Sequence, residues 1–164
     1  MTPPRIALYD WIRRGFDFRG RSSRSDYWWT RLLVFTVNLF WLYLFVGSLG
    51  AEGAQALSDW LGLVSQGDVA AQSRFPLSLD DMSSLAKFSL VFLVVFALLT
   101  FVPDLALSWR RFHDMNLPGW LHLFFVVANG FVPLLALVEF VWFVRPGTPG
   151  DNKYGPDPTL RFST

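Results

Sequence analysis

Long stretches without charge alternate with short polar segments along this chain. The windows 32–51, 88–103 and 115–138 contain no Asp, Glu, Lys or Arg. A helix that crosses a bilayer needs about 20 apolar residues, because every backbone donor and acceptor must be satisfied inside the segment. The first and third windows reach this length, and the second reaches it when extended past Asp104 to residue 107. The pattern therefore predicts three transmembrane helices.

The predicted architecture is an all-α integral membrane protein that forms a single domain over residues 1–164. The segments expected in chain order are a first transmembrane helix at about 27–49, an extracytoplasmic loop at 50–86, a second helix at about 86–108, a cytoplasmic turn at 109–118, a third helix at about 119–144 and a Gly/Pro-rich tail at 145–164. A short helix is also expected in the loop, since apolar residues recur there at helical spacing, at Ala54, Leu57, Leu61 and Val64.

The third apolar segment admits two interpretations. Trp120 and Trp142 bound it, and a continuous helix between them rises about 33 Å, close to a hydrocarbon core of about 30 Å. Asn129, Gly130 and Pro133 lie near its middle and allow a re-entrant hairpin instead. Each arm of such a hairpin is too short to span a bilayer, so we predict one crossing.

Composition narrows the class of protein further. Hydrophobic residues make up 52% of the chain and charged residues 16%, whereas about a quarter of an average soluble domain is charged. The absence of cysteine excludes disulfides and thiolate metal sites. His113 and His122 are separated by a Pro-Gly break and lack a carboxylate-rich face, so neither a metal nor a cofactor is predicted. No nucleic-acid-binding module is recognisable either.

The distribution of charge predicts orientation. The first 31 residues hold seven arginines but only three aspartates, and the positive-inside rule places this end in the cytoplasm. The loop 50–86 is acidic, which is consistent with the opposite side. Within the N-terminal segment, aromatic and basic side chains interleave, as expected of an amphipathic, basic segment on an anionic leaflet. The interleaved residues are Arg5, Tyr9, Trp11, Ile12, Arg13, Arg14, Phe16 and Arg19.

The polar motif after the second helix contains Arg110, Arg111, His113 and Asp114. On a continuing helix, Arg110 and Asp114 are i,i+4 neighbours and can pair. Adjacent arginines can also bind lipid phosphates, or simply anchor the topology. A His-Asp pair is a conceivable acid–base unit, but no nucleophile or metal cluster accompanies it.

A second polar motif precedes the first helix and contains Arg19, Arg21, Arg24 and Asp26. We expect it to form one lipid-phosphate-binding cluster with the motif after the second helix, because both lie at the same membrane boundary. In this hypothesis Asp26 pairs with Arg110 or Arg111.

Five further residues carry acidic or amide groups of interest. Asp104 and Glu139 are the acids nearest lipid, and intramembrane acids are candidates for a proton or ion pathway, although both lie close enough to an interface to reach it. In the tail, Asp151, Asn152 and Asp157 offer oxygen ligands, but their spacing is not that of a calcium loop. Stabilisation of turns is the expected role of these tail residues.

Three elements of the sequence together resemble the DUF805 family. They are FRGRSSRSDYW at 18–28, RRFHD at 110–114 with GW at 119–120, and GTPGDN at 147–152 with YGPDP at 154–158. The match covers nearly the whole chain outside 51–86, a loop that looks like an insertion; the run 116–118 also differs from the usual family turn. The resemblance implies a multi-pass bacterial inner-membrane protein of unknown function, without established catalytic residues.

The function predicted from these features is that of a non-enzymatic scaffold, accessory or regulatory membrane component whose basic cluster binds anionic phospholipid. A small oligomeric transporter or channel that uses Asp104 or Glu139 is the alternative, and a membrane enzyme built on the Arg-Arg-x-His-Asp motif is the third. The expected partners are the lipid bilayer and either a second copy of the chain or another membrane protein, with no nucleic acid.

Overall fold

All regular structure in the computed structural model is helical, which confirms the all-α prediction for the residues that it describes, 2–74, 76–80 and 82–162. The loop residue Asp81 lies outside them. The helices are α1 (Pro4–Arg13), α2 (Arg24–Ser48), α3 (Gly50–Ser65), α4 (Val69–Gln72), α5 (Ser84–Asp114), α6 (Trp120–Asn129) and α7 (Leu135–Val144), followed by a short 3-10 helix at Pro158–Phe162.

Two helices, α2 and α5, are long and apolar enough to cross a membrane. A capping box starts α2: the Ser23 amide and hydroxyl both donate to the Asp26 carboxylate at 2.8 Å, and the Asp26 amide donates to Ser23 Oγ at 3.2 Å. With 31 residues, α5 is about 46 Å long, which exceeds a hydrocarbon core of about 30 Å. One end of α5 therefore has to extend beyond the core.

The end of α5 corrects the predicted turn at 109–118. The helix continues through the polar motif to Asp114 and closes with a Schellman motif, in which the Asn116 amide donates to His113 O and the Leu117 amide donates to Phe112 O, both at 3.0 Å. Asn116 adopts the left-handed conformation that this motif requires, with φ of 60°. The side chains of Arg110, Arg111 and Asp114 thus project from a rigid helix and not from a loop.

The third apolar segment is the largest correction. A single helix over 119–144 is replaced by α6 and α7, each of ten residues and thus about 15 Å long, half the thickness of a bilayer core. The two helices pack against each other, since His122 Nδ1 lies 2.5 Å from Glu139 Oε1, whereas a continuous helix would separate these residues by about 25 Å. Pro133 accounts for the break, because its ring clashes with the carbonyl of Asn129 in a helix.

The chain divides into two units, a terminal unit (Met1–Val34 and Leu98–Thr164) and a central unit (Phe35–Ala97). The central unit holds α3, α4 and the adjoining parts of α2 and α5. Its core is formed by Phe45, Met82 and Ala86, against which Leu57 of α3 packs. The helix predicted within the loop therefore covers apolar residues of its own unit. All of the residues in the three polar motifs belong to the terminal unit.

Candidate functional site

Asp114 is the centre of a buried ion cluster at the end of α5. One of its carboxylate oxygens accepts from Arg21 Nε at 3.0 Å and lies 2.9 Å from Arg21 Nη2, and the other accepts from Arg111 Nη1. The side chains of Arg21 and Arg111 are 1% and 0% exposed. A buried cation is tolerated only when it is paired and hydrogen-bonded, and one carboxylate cannot neutralise two cations alone.

Backbone carbonyls of the tail and of the end of α7 supply the remaining acceptors. Arg21 donates to Gly150 O and Thr148 O, both at 2.6 Å. Arg111 donates to Phe143 O at 3.2 Å and also to Arg145 O. The two guanidinium groups therefore bind the tail and the end of α7 to the end of α5. We call Arg21, Arg111, Asp114, the last two residues of α7 (143–144) and the tail residues 145–150 the arginine clasp.

The closest approach in the arginine clasp is made by Gly147. A Cβ atom at this position would lie 2.1 Å from Asp114 Oδ2 and 2.5 Å from Asp114 Cγ. The neighbouring Thr148 donates its amide at 2.8 Å and its hydroxyl at 3.1 Å to Asp114 O. The tail thus covers the end of α5 and satisfies one of its free carbonyls, and only glycine leaves room for the carboxylate.

Arg110 holds a different segment, the loop between α1 and α2. Its Nε donates to Ser22 Oγ at 3.1 Å, and its Nη1 donates to Arg14 O at 2.8 Å and to Asp17 O. In the same loop, partial burial raises the pKa of Asp17, but the Arg19 amide and the Arg14 guanidinium outweigh burial and hold that pKa below its usual range. The predicted i,i+4 pair between Arg110 and Asp114 is therefore wrong: the aspartate pairs with Arg111, because Arg110 is directed toward the loop.

His113 links the same loop to the tail. Its ring stacks on Tyr154 with centroids 3.9 Å apart, and its Nδ1 lies 3.1 Å from Gly20 O. Asn152 donates to His113 O at 3.0 Å. The imidazole is thus an inter-segment contact, and both oxygens of the adjacent Asp114 are already bonded.

The tail acids accept hydrogen bonds from the tail itself. Asp157 accepts from the Gly150 amide at 3.0 Å, and from the Thr159 amide and hydroxyl at 2.9 and 2.7 Å. The hydroxyl and amide of Thr159 lower the pKa of the Asp157 carboxyl. Asp151 accepts from the Asp157 amide at 3.1 Å. These contacts hold the turns of the tail in place over the arginine clasp.

The structure divides the eight predicted cluster residues by burial. Arg21, Arg110, Arg111, His113 and Asp114 are buried together, and Asp26 is buried in the α2 cap. Arg19 and Arg24 are exposed. The hypothesis that Asp26 pairs with Arg110 or Arg111 is wrong, because Ser23 takes its carboxylate and the arginines bond elsewhere.

Both candidate intramembrane acids have partners that the sequence reasoning missed. Asp104 accepts from Arg31 Nη1 and from Trp11 Nε1, each at 3.1 Å. Glu139 is paired with His122. Depth along the helices could have revealed the first pair, because Arg31 lies about two turns beyond Arg24 on α2 and Asp104 about two turns before Arg111 on α5. The carbonyl acceptors of the arginine clasp leave no such signal, since every residue carries one.

Two helices that are long and apolar enough to cross a membrane, with the buried ion pair of Arg21 and Asp114 and the partly buried pair of Arg31 and Asp104, are features of a helical integral membrane protein. The chain belongs to the DUF805 family, whose model, described as a protein of unknown function, matches residues 15–156.

The relatives agree with this class. The chain is 27% identical to Inner membrane protein YhaH of Escherichia coli strain K12 over 156 residues, which cover 92% of this chain and 98% of that protein. It is 46% identical to Inner membrane protein YhaI of the same strain over 66 residues, 40% of this chain and 52% of that protein. No solved structure matches the chain. The names of the relatives support an inner-membrane location.

Proposed function

We propose that this protein is a non-enzymatic scaffold, accessory or regulatory component of the inner membrane, whose terminal unit associates with anionic lipid. The observation that supports the proposal is that some arginines of the terminal unit are buried in internal contacts whereas others are exposed. The side chains of Arg21, Arg110 and Arg111 are buried and hydrogen-bonded within the protein, so they are not lipid ligands. Other cations lie on the exposed surface and are available to lipid.

The exposed charges of the terminal unit are predominantly positive. Among the acids in the described part of this unit, only Asp151 is exposed, and the others are at least partly buried. The exposed cations are Arg5, Arg13, Arg19, Arg24, Arg145 and Lys153. An outward surface of this sign attracts anionic lipids by about 1 kcal/mol for each cation near the surface.

Helix α1 and the turn that follows it present apolar side chains beside these cations. Trp11 is buried, whereas Tyr9 and Ile12 of α1 and Phe16 of the turn are 61%, 72% and 81% exposed. In water, three large exposed apolar side chains would be unfavourable, but at an interface they enter the headgroup region while the arginines meet phosphates. This geometry supports α1 as a helix that lies on the membrane surface.

The alternatives have less support from the geometry. In the transporter hypothesis, Asp104 or Glu139 exchanges a proton or an ion, yet each carboxylate already bonds a neighbouring arginine or histidine. In the enzyme hypothesis, His113 and Asp114 transfer protons, yet the ring is stacked on Tyr154 and the carboxylate is saturated by two arginines.

The lipid proposal predicts that removing charge from α1 lowers the enrichment of anionic lipid around the protein. The full chain would be reconstituted in nanodiscs equilibrated with vesicles of phosphatidylcholine and phosphatidylglycerol, and the retained lipids quantified by mass spectrometry. We expect phosphatidylglycerol to be enriched by the natural protein and the enrichment to fall several-fold in the variant R5Q/R13Q.

The matched control for this experiment is R74Q/K87Q, which removes the same charge from exposed positions of the central unit. Enrichment that falls equally in both variants, or in neither, contradicts the proposed role of α1. The difference in phosphatidylglycerol enrichment between the natural protein and R5Q/R13Q should also become smaller at high salt, because salt screens interactions between surface charges.

The proposed topology has two crossings, with both termini in the cytoplasm. Only α2 and α5 reach spanning length among the described residues, and the tail bonds to Arg21 of the basic N-terminal segment, which the positive-inside rule places inside. A reporter active only in the cytoplasm, fused after Thr164, should therefore be active, and a periplasm-active reporter at the same position should be silent. The reverse pattern would restore a third crossing.

A further inference from the structure

A groove of about 590 Å³ lies in the terminal unit, where the start of α2 meets the end of α7 and the 3-10 helix of the tail. Its walls include Arg24, Ser25, Trp28 and Trp29 of α2 and Thr159 of the tail. This volume is in the range of small-molecule sites, about 300–1,000 Å³. None of the α1 residues lines it, so the groove is separate from the surface of α1 described above.

Among the described residues that line the groove, Arg24 is the cation, and it has unused hydrogen-bonding capacity. Arg24 is exposed, and its bond within the described part of the chain is long, from Nη1 to Val144 O at 3.4 Å, although a guanidinium offers five N–H donors. No described acid lines the groove; Asp114 and Asp157 line a smaller neighbouring pocket that Arg24 shares. This arginine contrasts with Arg21, which is fully enclosed and bonded. The hydroxyl groups on the wall are bonded within the protein: Thr159 Oγ1 donates to Asp157 Oδ1 at 2.7 Å, and Ser25 Oγ lies 3.0 Å from Ser23 Oγ.

The aromatic wall lies deeper along the same helix. Trp28 and Trp29 follow Arg24 by four and five residues, about one helical turn, in the direction in which α2 becomes continuously apolar. Indole rings prefer the depth just below the headgroups of a bilayer. The groove therefore has a cation and hydroxyls at its polar end and apolar rings at its membrane end, and Val144 extends the apolar wall.

We infer that this groove is a specific site for one anionic phospholipid. The phosphate is bound by Arg24, and the first part of an acyl chain lies against Trp28, Trp29 and Val144. Charge complementarity selects an anionic lipid, since a guanidinium that forms no ion pair with a described residue favours phosphate without a compensating ammonium group in the ligand. The inference rests on the proposed association with anionic lipid but adds a defined site to it.

Native mass spectrometry of the full chain released from detergent tests this site, with phosphatidylglycerol and phosphatidylcholine titrated separately. We expect one phosphatidylglycerol to bind about tenfold more tightly than phosphatidylcholine, and this preference to disappear in R24Q. The control R145Q, an exposed arginine outside the groove, should keep it. Since Arg24 is exposed and makes one long bond, R24Q should melt as the natural protein does.

Two further measurements separate the outcomes. W29L should weaken lipid binding but keep the preference of the site for phosphatidylglycerol over phosphatidylcholine, because only the contact with the acyl chain is reduced. Inorganic phosphate should not compete at millimolar concentration; competition would show a site for free phosphate and overturn the lipid assignment. An unchanged preference in R24Q would also overturn it. If R24Q loses its preference for phosphatidylglycerol while R5Q/R13Q keeps full enrichment of this lipid, the groove is supported and the proposed role of α1 is rejected. If R24Q keeps the preference while R5Q/R13Q loses the enrichment, the role of α1 is supported and the groove is rejected.

Discussion

Replacing Asp114 with asparagine is expected to destabilise the terminal unit by about 3–5 kcal/mol, because it breaks a buried ion cluster by removing its only anion. Arg21 and Arg111 would remain buried with carbonyl acceptors alone, and the desolvation of their charges would no longer be offset. The tail should then detach from the end of α5. The measurement is the thermal melting temperature of the purified protein in detergent, together with protease sensitivity of the tail.

The control for this variant is D151N, which removes an exposed acid from the same tail. We expect D151N to melt within a degree or two of the natural protein, since asparagine retains an oxygen that can accept from the Asp157 amide and surface substitutions usually change stability by less than about 0.5 kcal/mol. If D114N and D151N melted alike, the arginine clasp would not be the source of stability that its burial indicates.

The second large effect is expected from Gly147→Ala. A methyl group 2.1 Å from a carboxylate oxygen cannot be accommodated without moving either the tail backbone or Asp114, and Asp114 is held by two arginines. Overpacking a filled site costs about 1–3 kcal/mol, to which the weakened ion pairs add. The expected result is a lower melting temperature and a tail that is cut more rapidly by protease.

Gly62→Ala is the matched control. Gly62 lies within α3 and has nothing within 4 Å of its Cβ direction, so alanine should be neutral or stabilising there through helix propensity. A G147A protein as stable as G62A would show that the tail does not rest on Asp114 in the way described. Neither glycine substitution changes a charge, which makes the comparison independent of charge.

The arginine clasp gives a physical account of the three motifs that carry the family resemblance. Arg21 comes from the first motif, Arg111 and Asp114 from the second, and Gly147, Thr148 and Gly150 from the third. The first motif supplies one cation, the second supplies the anion and a second cation, and the third supplies the carbonyl acceptors and the glycine that leaves room for the carboxylate. Each motif therefore depends on the other two. These residues act as structural contacts, so tests of lipid binding belong at Arg5, Arg13 and Arg24.

The sequence by itself determined the class of protein and its two long helices. Membrane insertion depends on the length of an uncharged run, which is a local property, so α2 and α5 could be predicted from windows alone. The Ser23–Asp26 cap is equally local, because both partners lie within one turn. The resemblance to DUF805 was confirmed by the family match.

The tertiary structure decided what the third apolar segment does and which arginines are available. Its length fits one crossing, and only the contact between His122 and Glu139 shows that the chain folds back. Burial likewise divided arginines of identical chemistry into those bonded to backbone carbonyls and those left outside. Carbonyl acceptors have no signature in a sequence, because every residue carries one, so their use depends on which segments the fold brings together.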